Sequence, residues 1–378
     1  MENQHLQNKP NIAREISPIA IYALATHLPA SRPHNSLLGS LIRSAYNHLY
    51  QPAGNFSRPS IVRRGVTSLA SPVYEVPTAE DQERTADLAS LAVGKLLAAM
   101  PQSKDMVSAI LHNQCTLDQQ ISGSGCLRIQ DDHFDQAELA MMIGQLGTAG
   151  IPTVFRLALL SFKSGRLTCI SACDKWIAPF VRRVPGMLIY GDASAACLAG
   201  KMEAGSVPIA VIENIVTSCI PLPSDLWSMS IAIQRQYLLD HAKNVIDALL
   251  SQHLDLRRDE LILIGDGYGS DFAAELSASL CIASVPNFCP DIHLSSASPL
   301  FALSKAIGLA AERDQTQLSV IWTISQSGHA AAMLLRACVG AVEGNGCWRA
   351  SKNDQVVECP PSTGPRVEAK QIRWLGLH

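Results

Sequence analysis

Short apolar runs, punctuated by glycine and proline, alternate along the chain with longer stretches whose apolar residues recur at helical spacing. Ile16 to Leu28 reads as a strand leading into a loop. Thr85 to Met100 reads as a helix with Leu88, Leu91, Ala92 and Leu96 on one face, and a Pro/Ser/Arg-rich connection lies between the two. Val107 to Leu111 reads as a short buried strand, and Glu138 to Ile143 as another apolar run, which stops at Gly144. The turn Gln145-Leu146-Gly147-Thr148-Ala149-Gly150 follows, and then a helix with Pro152 in its first turn and Gly165 beyond its end. Thr148 is thereby expected on a strand-to-helix turn.

Strand-like runs continue at Leu167 to Ala172, Met187 to Tyr190 and Ala193 to Ala199, the last two separated by Gly191-Asp192. A second half opens near Val207 with a strand and a long helix from Leu226 to Leu250. It goes on through a buried strand at Leu261 to Ile264, a helix from Asp271 to Cys281, a loop with His293, a helix from Pro299 to Arg313 and a strand at Leu318 to Ile324. Such alternation calls for an α/β protein with helices on the faces of a layered sheet. The expected division is an N-terminal half over 1–205, a C-terminal half over 206–345, and a polar, aperiodic tail over 346–378.

Composition narrows the function classes. At 378 residues and 47% hydrophobic content, the chain suits two packed halves of ordinary size. Lys plus Arg number 30 against 33 Asp plus Glu, so a net charge of −3 leaves no basic excess for nucleic acid. The opening residues lack an apolar core, and no apolar run is long enough to span a bilayer, so a cytoplasmic protein without membrane attachment is expected. The 11 cysteines are an odd number without paired spacing and read as reduced thiols. Cys169 and Cys173 are the closest pair, and their apolar surroundings favour buried packing over a metal site; no metal is expected.

Four segments, taken in order, resemble the ketoacyl-acyl-carrier-protein synthase III branch of the thiolase superfamily. Ser122-Gly-Ser-Gly-Cys126-Leu-Arg-Ile-Gln130 is similar to the loop and helix before the nucleophile strand, and Gly147-Thr148-Ala149-Gly150 to the nucleophile elbow, normally written with Cys. Leu188-Ile-Tyr-Gly191-Asp192-Ala-Ser-Ala-Ala196 resembles the strand-GDGA-strand signature. Ile292-His293-Leu-Ser-Ser-Ala-Ser298 resembles the Gly-Asn-Thr-Ser-Ala-Ala-Ser helix start, with Thr323 to Ala332 in the place of the final glycine-rich loop. The resemblance covers roughly residues 16 to 337. It implies a thiolase-like five-layered αβαβα body of two similar halves, usually a dimer joined near the nucleophile strand.

The resemblance also implies a catalytic set, which this chain alters. The family's acyl-accepting cysteine, favoured as thiolate by a helix N-terminus, is matched by Thr148, its histidine by Asp266 and its asparagine by His293. An ionised Asp266 would repel the enolate of decarboxylative condensation. Gln326, Ser327 and His329 crowd the loop that gives the family an oxyanion N–H.

Each position has a structural reading as well. Thr148 could cap the following helix, or it could be an acyl acceptor activated by His293 with Asp266 as orienter. Asp266 could simply accept N–H bonds within Gly265-Asp266-Gly267, and His293 could be a helix-start residue without a duty. Gly191 and Asp192 read as a tight turn between strands. Arg63 and Arg64 fall where the family often has basic residues near the pantetheine entrance, and Cys126 is a packing residue or a substitute nucleophile.

The leading functional expectation is a catalytically degenerate subunit, a pseudo-enzyme that pairs with an active ketosynthase paralogue, or with itself, in fatty-acid or polyketide biosynthesis. The alternative is an acyltransferase or condensing enzyme with an altered Thr148/His293 site. No bound cofactor is expected; acyl-CoA or the phosphopantetheine of an acyl carrier protein would be substrate, and the carrier protein a partner. A docking or scaffold module without a small-molecule pocket is a third reading.

Overall fold

The computed structural model describes residues 16–34, 74–116, 124–176, 183–184, 187–203, 206–220, 229–289 and 291–338. Ser122, Arg63, Arg64 and the tail over 346–378 lie outside these described residues.

Two runs of elements repeat one plan. The first comprises β1 (Ile19–His27), a ribbon of β2 (Ser31–His34) and β3 (Tyr74–Pro77), α1 (Thr85–Ala99), β4 (Val107–Gln114), α2 (Gly125–His133), β5 (Leu139–Gly144), α3 (Gly150–Ser161), β6 (Leu167–Asp174), a small ribbon of β7 (Arg183–Val184) and β8 (Leu188–Ile189), and β9 (Ala193–Lys201). The second comprises β10 (Ala210–Cys219), α4 (Ile231–Leu250), β11 (Leu261–Gly265), α5 (Ser270–Leu280), β12 (Ala283–Ser284), α6 (Ser298–Arg313), β13 (Gln317–Ile324) and β14 (His329–Ala337).

Strand order makes the repeat explicit: β5-β4-β6-β9-β1 continues as β10-β14-β13-β11-β12. In the first half β4 is parallel to β5 and β6, and β9 is antiparallel to β6 and β1. In the second, β11 is parallel to β12 and β13, and β14 is antiparallel to β13 and β10. The halves join where Ile19, Ala20 and Ile21 of β1 face Ile212, Val211 and Ala210 of β10.

Helices occupy three levels. α3 and α6 touch strands of both halves, α1 covers the outer face of the first half-sheet, and α4 covers that of the second. Three apolar clusters fill the gaps. The central one gathers Phe155 and Val154 of α3, Phe301 and Leu303 of α6, and inward residues such as Ile21, Ile170, Ile264 and Met333. The outer ones take the alternate strand residues, Ile110 and Leu198 under α1 and Leu263, Trp322 and Leu334 under α4. Side chains on both faces of these strands are therefore buried, which is why the sequence shows continuous apolar runs instead of apolar–polar alternation. The layers run αβαβα.

Local departures have local causes. The long helix is described from Ile231, where the Ser230 hydroxyl accepts the Ile233 N–H and caps its first turn. The run Met187 to Tyr190 does not enter the main sheet: among the described residues β8 pairs with β7 alone, and Tyr190 bridges instead to His293. Cys169, Cys173 and Cys197 are buried in strands β6 and β9. Among the described residues no cluster of His, Cys, Asp or Glu could hold a metal ion, and no helix is long and apolar enough to cross a membrane.

Candidate active site

Thr148, Asp266 and His293 reach one buried point from three separate segments. Thr148 lies in a tight turn, Gly147–Ala149, between β5 and α3. Gln145 and Gly147 both have positive φ, 66° and 60°, which folds the chain sharply ahead of the helix. Gly147 has a steric role too, since a Cβ there would fall 2.1 Å from Ser325 Oγ. The Thr148 hydroxyl has no hydrogen-bond partner among the described residues, and it caps nothing. The capping reading of Thr148 is thus corrected: the turn runs on into α3 without a side-chain cap.

Asp266 is the first residue beyond β11. Its Oδ2 accepts the Thr323 hydroxyl at 2.7 Å and the Ile324 N–H at 2.9 Å, while the buried Oδ1 has no partner among the described residues. The anchor is the end of β13, not the Gly265-Asp266-Gly267 loop that the sequence suggested. Gly267 brings Asp266 up to the His293 segment, because a Cβ there would sit 2.1 Å from the Ile292 carbonyl oxygen. Burial raises the Asp266 carboxyl to about 7, although its two hydrogen-bond donors, the Thr323 hydroxyl and the Ile324 N–H, pull it down. Asp266 therefore exchanges its proton near neutrality and is not the permanently ionised group expected from sequence.

His293 is fixed through its backbone: its N–H donates to Ile189 O at 2.7 Å and its carbonyl accepts the Gly191 N–H at 3.1 Å. The ring stands edge-on to Tyr190 and Tyr268, at centroid distances of 5.2 and 5.1 Å. Nδ1 accepts the Ser295 N–H at 3.1 Å, so the proton of the neutral ring must sit on Nε2. Nε2 has no hydrogen-bond partner among the described residues and lies 3.9 Å from Asp266 Oδ2. Burial lowers the ring to about 3, so His293 is neutral and offers an N–H donor. His293 has no free lone pair with which to activate Thr148, and Asp266 approaches the wrong nitrogen to orient it as in a Ser-His-Asp triad.

A second polar cluster faces this one across the repeat. Cys115, the first residue beyond β4, is the topological counterpart of Asp266, and Ser296, in the turn Ser295–Ala297 before α6, is that of Thr148. The Ser296 hydroxyl donates to Cys115 Sγ at 3.2 Å. Asp174 binds both chain segments, accepting the Cys115 N–H at 2.8 Å, the Thr116 N–H at 2.7 Å and the Ser296 N–H at 2.8 Å. Burial and Asp174 push the Cys115 thiol up to about 12, which keeps it protonated.

The remaining candidate residues have structural places. Cys126 is packed in the outer cluster under α1, its sulfur 2.8 Å from Ser124 Oγ. Asp192 is buried, and its carboxylate accepts the N–H groups of Ala79 and Trp176 at 2.9 and 2.8 Å, tying loops together beyond its own turn. Sequence reasoning missed Thr323, Tyr190 and Tyr268 as neighbours of the site. The two tyrosines stand inside or beside the quoted motifs, next to Gly191 and Gly267, and that adjacency was the signal that could have found them.

No family model and no curated protein sequence matches the chain. Solved structures do. ChlB3, an acyltransferase, shares 14% identity at a TM-score of 0.62 over 85% of this chain and 98% of its own. OleA of Xanthomonas campestris shares 12% at 0.61 over 85% and 99%. The 3-oxoacyl-(acyl carrier protein) synthase III, FabH, of Pseudomonas aeruginosa PAO1 shares 12% at 0.59 over 84% and 98%. The chain has the thiolase-like fold of these structures. Within that fold, the Thr148 turn opens one central helix and the Ser296 turn opens the other, so Thr148, Asp266 and His293 stand around the middle of the body.

Proposed function

We propose that the chain accepts acyl groups from thioesters onto oxygen, with Thr148 as the acceptor, Asp266 as its base and His293 as the oxyanion donor. One observation carries this reading: three buried polar atoms from three segments, Thr148 Oγ1, Asp266 Oδ1 and His293 Nε2, have no partner among the described residues. An unpaired buried polar atom costs roughly 1–3 kcal/mol, so three together favour a site that a substrate completes. Thiolase-like neighbours that include an acyltransferase support the substrate class.

In the step proposed, ionised Asp266 takes the Thr148 proton as the oxygen attacks the thioester carbonyl. The developing oxyanion receives the His293 Nε2–H. The C–S bond breaks, and the leaving thiolate takes the proton from Asp266, so thioester and hydroxyl become ester and thiol. Decarboxylative condensation is not part of this reading, because position 266 lacks the histidine donor for an enolate. The test is intact-mass and peptide analysis after exposure to acyl-CoA. One acyl group on Thr148, stable to neutral hydroxylamine and absent from Thr148→Val, is expected. A folded chain that acquires no acyl group at Thr148 would sink the proposal.

A second reading, the degenerate subunit paired with an active ketosynthase paralogue or a second copy, is favoured by β5. Among the described residues this strand ends the sheet and exposes Leu139, Met141 and Met142 at 37%, 43% and 49%. An apolar free edge invites another chain, and β5 runs directly into the Thr148 turn. Light scattering and co-purification with a cysteine-containing paralogue test it. A monomer in both settings would rule it out.

A further inference from the structure

The hairpin between β13 and β14 carries a hydroxyl relay that ends against the Thr148 turn. Ser325 and Ser327 share a hydrogen bond at 2.8 Å, and Ser327 Oγ lies 2.9 Å from His329 Nδ1. The Ser327 N–H also donates to Ser325 Oγ at 3.2 Å. Ser325 is buried, Ser327 exposed and His329 half-buried, so the relay leads from the surface inward. Its inner end presses on Gly147, where only the missing side chain leaves room for the Ser325 oxygen.

A turn-stabilising role would need only the contact from the Ser327 N–H to Ser325 Oγ, which closes a local serine turn. It would not call for the Ser325 proton to be passed on. Both contacts admit either direction. Burial lowers the His329 pKa, so the ring is neutral near pH 7, and in the tautomer with its proton on Nε2 the Nδ1 lone pair accepts the Ser327 proton. Ser327 Oγ is then free to accept the Ser325 proton, while the backbone N–H stabilises negative charge on Ser325 Oγ. The arrangement has the parts of an activated nucleophile: hydroxyl, relay and base.

We propose that Ser325 is a second acyl-accepting hydroxyl, activated through Ser327 by His329 and served by the same class of acyl thioester. Ser325 Oγ forms a C–O bond with the acyl carbon while its proton moves to Ser327 and that of Ser327 moves to His329. The C–S bond breaks, and the proton returns through the relay to the leaving thiolate, so thioester and alcohol again give ester and thiol. The inference shares its acyl donor with the Thr148 reading but none of its catalytic groups.

A fluorophosphonate, which phosphonylates activated serines, separates the two. The full chain, Thr148→Val, Ser327→Ala and His329→Gln are labelled and the modified residue is mapped by peptide mass spectrometry, with circular dichroism confirming the fold of each. Label is expected at Ser325 in the wild type and in Thr148→Val, and roughly 100-fold slower labelling in Ser327→Ala and His329→Gln, the usual scale for loss of a general base. Absence of label at Ser325, or equal rates in the relay variants, overturns this inference and leaves the Thr148 proposal standing. Label at Ser325 with no acyl ester on Thr148 supports the relay and removes the other reading.

Discussion

Replacing Asp266 with Asn should make the protein more stable at pH 8 while abolishing acyl transfer to Thr148. The carboxyl is raised from 3.8 to about 7 in the folded chain by burial. Between those values the native state keeps a proton that the unfolded state has lost, so stability falls as pH rises through the window. At about 1.36 kcal/mol per unit, the native state carries a penalty of roughly 4 kcal/mol above pH 7. Asparagine keeps an acceptor for the Thr323 hydroxyl and Ile324 N–H and places an uncharged NH2 where Oδ1 has no partner among the described residues. Weaker hydrogen bonds to a neutral acceptor remove about 1–2 kcal/mol of that gain. A net stabilisation of roughly 2–3 kcal/mol is expected at pH 8, vanishing near pH 4. Urea unfolding of both proteins at the two pH values measures it. If the stability difference between the variant and the wild type is the same at both, the buried carboxyl does not carry this penalty.

Three further outcomes follow from the same geometry. His27, His112 and His241 are lowered to about 4 and His293 to about 3, chiefly by burial, so their contribution holds above 6.5 and is lost as pH falls toward those values. In the Asp266→Asn background, where the opposing carboxyl is gone, the urea midpoint should drop steadily from pH 6.5 to 4; a flat profile would contradict the assignment. Thr148→Cys alone should not condense acyl-CoA with malonyl groups, because above pH 7 the thiol would face the Asp266 carboxylate and position 266 would still lack an enolate donor; turnover by that single variant in a condensation assay would refute this. Gly267→Ala should destabilise by about 1–3 kcal/mol or more, since its Cβ meets the Ile292 carbonyl, and a thermal midpoint equal to wild type would show that the two loops are not in contact.

The layers were legible because each strand is a continuous apolar run and each helix has a periodic face, and glycines at 144, 165 and 191 marked where runs ended. The meeting of Thr148, Asp266 and His293 was legible only through motif order, since the three come from both halves and no local pattern joins them. Their roles were not legible. The charge of Asp266 depends on burial, and the tautomer of His293 depends on one backbone N–H from Ser295. The anchoring of Asp266 by Thr323 and Ile324 spans 57 and 58 residues of sequence and has no signature within either segment.

The duplicated plan has a practical consequence for anyone who would cut this gene. Thr148 is encoded in the first repeat and Asp266 and His293 in the second, while α3 and α6 each lean on strands of the opposite half. Fragments separated in the connection after β9 should therefore be inert singly, each with half of its central apolar face uncovered. Expressed together they form a natural split reporter, in which acyl transfer to Thr148 would register only reassembly of the two pieces.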